Sequence, residues 1–444
     1  MSAPGDRTRE PPLRLLGTQE AGFEAAFGRL EARRELERAD VDGAVAAILA
    51  DVRERGDDAV LDAIERYDGY RLTPETLAAS QAEIEAARAQ LDPPVCDALA
   101  AAAERIRRFH AAHRSESWRV EDGDEVLGQD LLPISRVGLM VPGYPPLPST
   151  VLMLAIPARV AGVRELCVAS SAERHHPALL EAARLAGVER VYRMGGAQGV
   201  GALAFGTESV PAVDKIVGPG SVYTQAAKRQ VFGQVAIDVD AGPSEVAIVA
   251  DDSADPRFVA ADLLAQAEHA PDASVLLLTP DRGLASAVLA ELGRRLAETP
   301  RREIAEASLS ARSLAVVTRD LEEAAELANR YGGEHLQLLV RDPERWAERV
   351  DTAGAVFLGP HSAVPLGDYI AGPSHVLPTG GAARFSAPVG VEDFPRRRSV
   401  ISLGPSAVRK LGPDAVRLAE LEGLYAHARA VELRLARTPG DAES

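Results

Sequence analysis

The residues of this sequence best suited to chemistry gather in its second half. Gln266 and His269 stand three apart in DLLAQAEHAPD, so a helix there puts an amide oxygen and an imidazole on one face, where both can converge on a cation. Glu334 and His335 are adjacent in NRYGGEHLQLL, at the mouth of a run, LQLLV, that reads as a strand. A carboxylate beside an imidazole offers two proton acceptors of different pKa, suited to separate proton transfers near neutral pH. Asp368 and His375 lie in LGDYIAGPSHVLPTGG, whose glycines and prolines specify a shaped loop of the kind that carries function. Glu422 and His427 lie five apart in ELEGLYAHARAV. On one helix that is about 140° of rotation, so they do not stack but can border one cleft. Gly199, Gly201 and Ala204 match the G-x-G-x-x-A dinucleotide pattern. The match is weak, because the glycines fall later than a tight first turn needs and no acid ends a second strand about twenty positions on. His110, His113, His175 and His176 fall on polar stretches and are expected in solvent.

The elements that must position these groups are legible as alternating patterns. ISRVGLMVP (134–142), ELCVAS (165–170), RVYRM (190–194) and DKIVG (214–218) read as buried strands, with ALLEAARLAG and the stretch after Gly199 as crossover helices. The rhythm restarts with EVAIVAD (245–251), SVLLLTP (274–280), SLAVVT (313–318), LQLLV (336–340) and AVFLG (355–359). The fold class is therefore α/β: two Rossmann-like parallel-sheet units, one inserted in the other. A helical N-terminal segment from Val41 to about Arg114, broken once at Pro93 and Pro94, precedes them, and a C-terminal helical tail from Asp414 to Ala436 follows. The expected boundaries are 1–28 as an N-terminal arm, 29–136 with 244–388 as the first α/β domain, 137–243 as the inserted one, and 389–444 as the tail.

Composition narrows the function further. At roughly 150 residues per domain, 444 residues suggest about three folding units. Apolar residues are 46% and charged ones 26%, the balance of a globular protein. A net charge of −17 argues against nucleic acid or an anionic membrane as the main partner. No apolar run reaches the ~20 residues of a membrane span, and MSAPGDRTREPPLRLL lacks the apolar core of an export signal. Cys96 and Cys167 are the only cysteines, which fits a reducing cytoplasm.

Taken in order, eight blocks resemble the histidinol dehydrogenase family. They are PSTVLMLAIPARVAGV, MGGAQGVGALAFGTESVPAVDKIVGPG, AAKRQVFG, IDVDAGPSEV, ADLLAQAEH, GGEHLQLL, GDYIAGPSHVLPT and EGLYAHARAV, and the likeness runs from about residue 30 to 436. The resemblance implies oxidation of L-histidinol to L-histidine through L-histidinaldehyde, by two hydride transfers to NAD, in histidine biosynthesis. It implies one zinc ion per subunit on Gln266, His269, Asp368 and His427, and Glu334 and His335 as the acid/base pair. Ser244, His375 and Glu422 match substrate-contacting positions, and Gln198, Met140 and Ser221 match positions that contact NAD, in the inserted domain. It also implies a homodimer with exchanged C-terminal tails. Met140 and Ser221 depart from the family's tyrosine and asparagine, Gly333 from its proline and Ala270 from its aspartate. Two other readings accompany this one: a family relative oxidising another polar alcohol, and a metal-assisted hydrolase without dinucleotide.

Overall fold

The computed structural model describes residues 12–32, 41–113, 116–238 and 242–436. In chain order its strands are β1 (Leu15–Gly17), β2 (Trp118–Asp122), β3 (Glu125–Pro133), β4 (Arg136–Met140), β5 (Glu165–Ala169), β6 (Arg190–Tyr192) and β7 (Lys215–Val217). There follow β8 (Ala236–Ile237), β9 (Glu245–Ala250), β10 (Ser274–Thr279), β11 (Leu314–Val317), β12 (His335–Leu339), β13 (Ala355–Leu358) and β14 (Pro395–Leu403). One parallel sheet has the order β1-β11-β10-β9-β12-β13, and a second has β6-β5-β4-β7-β8. All strands of the second lie between β1 and β9 in sequence, so the insertion expected of the fold class is present.

The apolar runs form these strands because both faces of each sheet are covered. In β9, Val246, Ile248 and Ala250 enter one core while Ala247 and Val249 enter the core on the opposite face. On the second sheet the helices Asp42–Arg55, Asp57–Asp68, Gly196–Phe205 and Val222–Val231 share one core, while Pro93–Ala111, Pro148–Ala161 and Pro177–Leu185 pack together.

Contact grouping divides the chain into two units, 1–113 with 135–393, and 114–134 with 394–444. The first holds both parallel sheets. The second holds an antiparallel sheet, β14-β3-β2, that the strand pattern did not predict; its residues are mostly exposed, so no buried apolar run announces it. Residues 114–134 accordingly leave the first α/β domain and join the tail, because β3 pairs with β14 along nine residues.

Other expectations need correction. Residues 1–11 lie outside the described residues, but the rest of the arm is part of the fold: β1 pairs with β11, and Leu13, Phe23 and Phe27 are buried. The helical segment after Val41 breaks at Gly56, whose φ of 58° suits glycine, and again between Asp68 and Gln81. Pro93 and Pro94 instead start a helix, where their missing N–H groups cost nothing. Helices Asp42–Arg55 and Asp57–Asp68 pack on the inserted sheet rather than on the first domain's. The tail helix is two, Pro405–Leu421 and Tyr425–Leu435, divided at Gly423 with φ 74°. No helix among the described residues is long and apolar enough to cross a membrane.

Candidate active site

β12 begins at His335, directly after Glu334, and the parallel strand beside it fixes both side chains. Glu334 and His335 are 6% and 4% exposed. The backbone N–H of Glu245, first residue of β9, donates to Glu334 Oε2 at 2.9 Å. His335 Nδ1 lies 2.9 Å from the carbonyl oxygen of the same Glu245. A carbonyl only accepts, so Nδ1 carries the proton and Nε2 is the nitrogen left for chemistry. Nε2 is buried without a hydrogen-bond partner and lies 3.5 Å from Asp368 Oδ1; Glu334 Oε2 lies 3.5 Å from Nδ1. Burial pushes Glu334 up to about 7. Burial alone would lower His335, but the charges of Glu334 and Asp368 overcome it and raise the ring.

Asp368 sits on a single π-helical turn, Gly367–Ala371, whose carbonyls at Ile370 and Ala371 accept from Arg105 at 2.8 and 3.3 Å. Burial would raise Asp368, yet His335 and its neighbours hold it low and ionised. His375 uses both nitrogens: Nδ1 donates to the Asp368 carbonyl at 2.7 Å, and Nε2 lies 3.0 Å from Thr150 Oγ1. His335, Asp368 and His375 line a cavity of about 440 Å³.

Gln266 lies in the last turn of helix Pro256–Ala267, buried, with Nε2 unpartnered. His269 falls just beyond the helix, its N–H bonded to the Gln266 carbonyl, so the pair spans a closing turn rather than a helix face. The His269 side chain is exposed, and the desolvation it does undergo lowers its pKa, with Asp368 acting to raise it and His335 to lower it. Ser244 directly precedes Glu245. These groups fit a divalent cation: an amide not fully engaged, a neutral imidazole and an ionised carboxylate. Among the described residues no three His, Cys, Asp or Glu side chains form a metal-holding group, so this set is partial. Glu422 and His427 belong to the second unit and are exposed; Glu422 caps the end of one tail helix and His427 lies in the first turn of the next, so they do not share one.

A second cavity, about 520 Å³, opens where the second sheet reverses its strand order, at the carboxyl ends of β4 and β7. Open parallel sheets bind nucleotides at that point. Met140, Gln198 and Ser221 line it together, with the first turn of helix Gly196–Phe205. Ser221 caps the next helix, its Oγ accepting from the Thr224 N–H and lying 3.4 Å from the Thr224 hydroxyl. A Cβ on Gly143 would lie 1.6 Å from the Ser171 carbonyl oxygen, so only glycine permits this close loop. Gly199 and Gly201 lie inside the helix; a Cβ on Gly201 would press on Leu49 and Val52, so it serves packing rather than a phosphate turn.

Sequence reasoning missed Glu245 and Thr150. The available signal for Glu245 was a charge heading an apolar strand, EVAIVA. Two histidines expected in solvent are buried: His110 at 3% and His175 at 8% exposure, the latter bonded to the Ser170 carbonyl. His110 is on the inward side of helix Pro93–Ala111, and His175 is in the loop before helix Pro177–Leu185.

The sequence profile of the family described as histidinol dehydrogenase matches residues 31–435. The chain belongs to the histidinol dehydrogenase family. It is 50% identical over 428 residues to the histidinol dehydrogenase of Cereibacter sphaeroides, covering 95% of this chain and 98% of the relative. It is 48% identical over 437 residues to that of Ralstonia nicotianae, covering 96% and 98%. The crystal structure of histidinol dehydrogenase from Elizabethkingia anophelis superposes with a TM-score of 0.88 at 34% identity, covering 96% of this chain and 98% of that one. As a histidinol dehydrogenase family member the chain is an oxidoreductase of histidine biosynthesis, and the hydrolase reading falls.

Proposed function

We propose that this chain oxidises L-histidinol to L-histidine through L-histidinaldehyde, with Glu334 and His335 moving the protons. The observation that carries this is the buried pair, held by one residue of the adjacent strand and aimed at Asp368. Gln266, His269 and Asp368 would hold a zinc ion, and Met140, Gln198 and Ser221 would meet NAD. Bound zinc would orient and polarise the substrate, and bound NAD would accept hydride.

The residues present do the rest. His335 Nε2 receives the alcohol proton as hydride departs. Were Asp368 to hold a cation, one of the two charges that raise His335 would be offset, and the ring would return toward a neutral, proton-accepting state. Glu334, raised by burial, takes a proton from the water that attacks the aldehyde carbon. Ser244, His375 and Glu422 would contact substrate. His375 would first exchange one of its present bonds, to Thr150 or to the Asp368 carbonyl.

The partner subunit's His427 and Glu422 would complete each site in a homodimer. Supporting this, the tail exposes large apolar residues, with Leu421 at 83% and Tyr425 at 72%. The test is spectrophotometric: purified protein with zinc, NAD and limiting histidinol should form two NADH per histidinol. No NADH at saturating NAD and zinc would overturn the proposal. A panel of polar alcohols ranked by kcat/KM would expose a different preferred substrate.

A further inference from the structure

Among the described residues that line the cavity at β4 and β7, one side chain is charged, Asp68, and there is no lysine, arginine or histidine. Asp68 is the last residue of helix Asp57–Asp68, outside the inserted sheet's own strands and crossovers. A carboxylate there opposes the helix dipole, so the helix itself gives no reason for an acid at this position.

Its placement answers a gap in the sequence. In nucleotide-binding sheets of this order, a carboxylate at the end of the second strand accepts from the ribose hydroxyls of NAD, while an arginine there takes the 2′-phosphate of NADP. The corresponding strand here is β5, and the residues that follow it are Ser170 and Ser171. Glu173, slightly further on, is exposed and does not line the cavity. Ser171 Oγ instead donates to Asp68 Oδ1 at 2.5 Å, so the strand end holds a carboxylate delivered by a distant helix. Gln198 Nε2 donates to Asp68 Oδ2 at 3.4 Å, and the Tyr70 hydroxyl stands 3.3 Å from Ser171 Oγ. Both donors to Asp68 are neutral, and a carboxylate offers about four acceptor positions, so about two remain for a ligand.

Resting on the reading of this cavity as the NAD site, we propose that Asp68 accepts from the adenosine ribose hydroxyls and excludes a dinucleotide carrying a 2′-phosphate. A 2′-phosphate would meet a carboxylate with no cation among the described lining residues to compensate. Ser171 acts as a positioning residue for Asp68, and Gln198 does so as well as meeting cofactor.

The test uses the full-length protein and calorimetric titration with NAD and NADP, alongside steady-state rates. Wild type should bind NAD at least about 100-fold more tightly than NADP. Asp68→Asn should weaken NAD by about tenfold and narrow the NAD/NADP ratio by at least that factor. Ser171→Ala should move KM for NAD the same way by less, and Glu173→Gln should change neither. An unchanged ratio in Asp68→Asn, or a collapsed one in Glu173→Gln, would overturn the assignment of Asp68 alone. Failure of wild type to bind either dinucleotide would overturn the cavity reading and this inference together, and is seen before any variant is made. General destabilisation would weaken both dinucleotides equally, leaving the ratio where it was.

Discussion

The carbonyl oxygen of Glu245 accepts a hydrogen bond from His335 Nδ1 at 2.9 Å, and that bond leaves Nε2 as the ring nitrogen turned toward Asp368 Oδ1, 3.5 Å away. The same residue's N–H holds Glu334 Oε2, so the backbone of one residue of β9 orients both side chains without a side chain of its own. A backbone group is a stable support, because the β-ladder fixes it on both sides of the residue.

Replacing Glu334 by glutamine should separate the two oxidations. The amide keeps the shape and loses the base, so the second step should fall about 10²- to 10⁴-fold and the first by far less. Aldehyde should then accumulate and be captured by semicarbazide. Equal loss of both steps would remove the role given to Glu334.

Arg105 should control cation affinity at a distance. It ties down two carbonyls of the π turn that carries Asp368, so Arg105→Met should weaken zinc binding by about 10- to 100-fold. Competition with a chromophoric chelator measures this. Full removal of zinc should abolish turnover yet leave the circular dichroism spectrum intact, since two large apolar cores sit on the sheet that carries the site.

Acid stability should depend on His110. Burial lowers its pKa from 6.5 to about 4. The unfolded chain therefore takes up the proton first, and the stability owed to neutral His110 is complete above about pH 6.5 and lost as pH falls toward 4. The loss is about 3 kcal/mol at full protonation. Thermal melts of His110→Leu should show a shallower fall in Tm than wild type between pH 6.5 and 4; parallel curves would exclude the effect.

Mixing two inactive variants tests the tail exchange. His427→Ala leaves the pocket intact, and His269→Ala leaves the tail intact. With exchanged tails, equal mixing and reassembly should restore about one quarter of wild-type sites, since half the dimers are mixed and each has one whole site. A tail serving its own pocket restores nothing.

Nine of the ten strands in β4–β13 were legible as apolar runs, because a strand covered on both faces must be apolar throughout. β2, β3 and β14 were not, since their exposed residues, among them Arg396, Arg397 and Arg398, carry no burial signal. The two-residue β8 was too short to show one. His110 was misplaced because its neighbours Arg107 and Arg108 give the helix a polar look that hides its inward face.

The amino-acid order by itself determined the parallel-sheet architecture, the family, and the adjacency of Glu334 and His335, all of which are local or ordered along the chain. Folding alone decided that Glu245 orients the pair, that Arg105 braces the loop of Asp368, and that Asp68 meets Ser171 at the end of β5. Those partners lie 90, 265 and 103 residues apart, and no periodicity encodes a contact whose cause is the register of one strand or the packing of one helix against another.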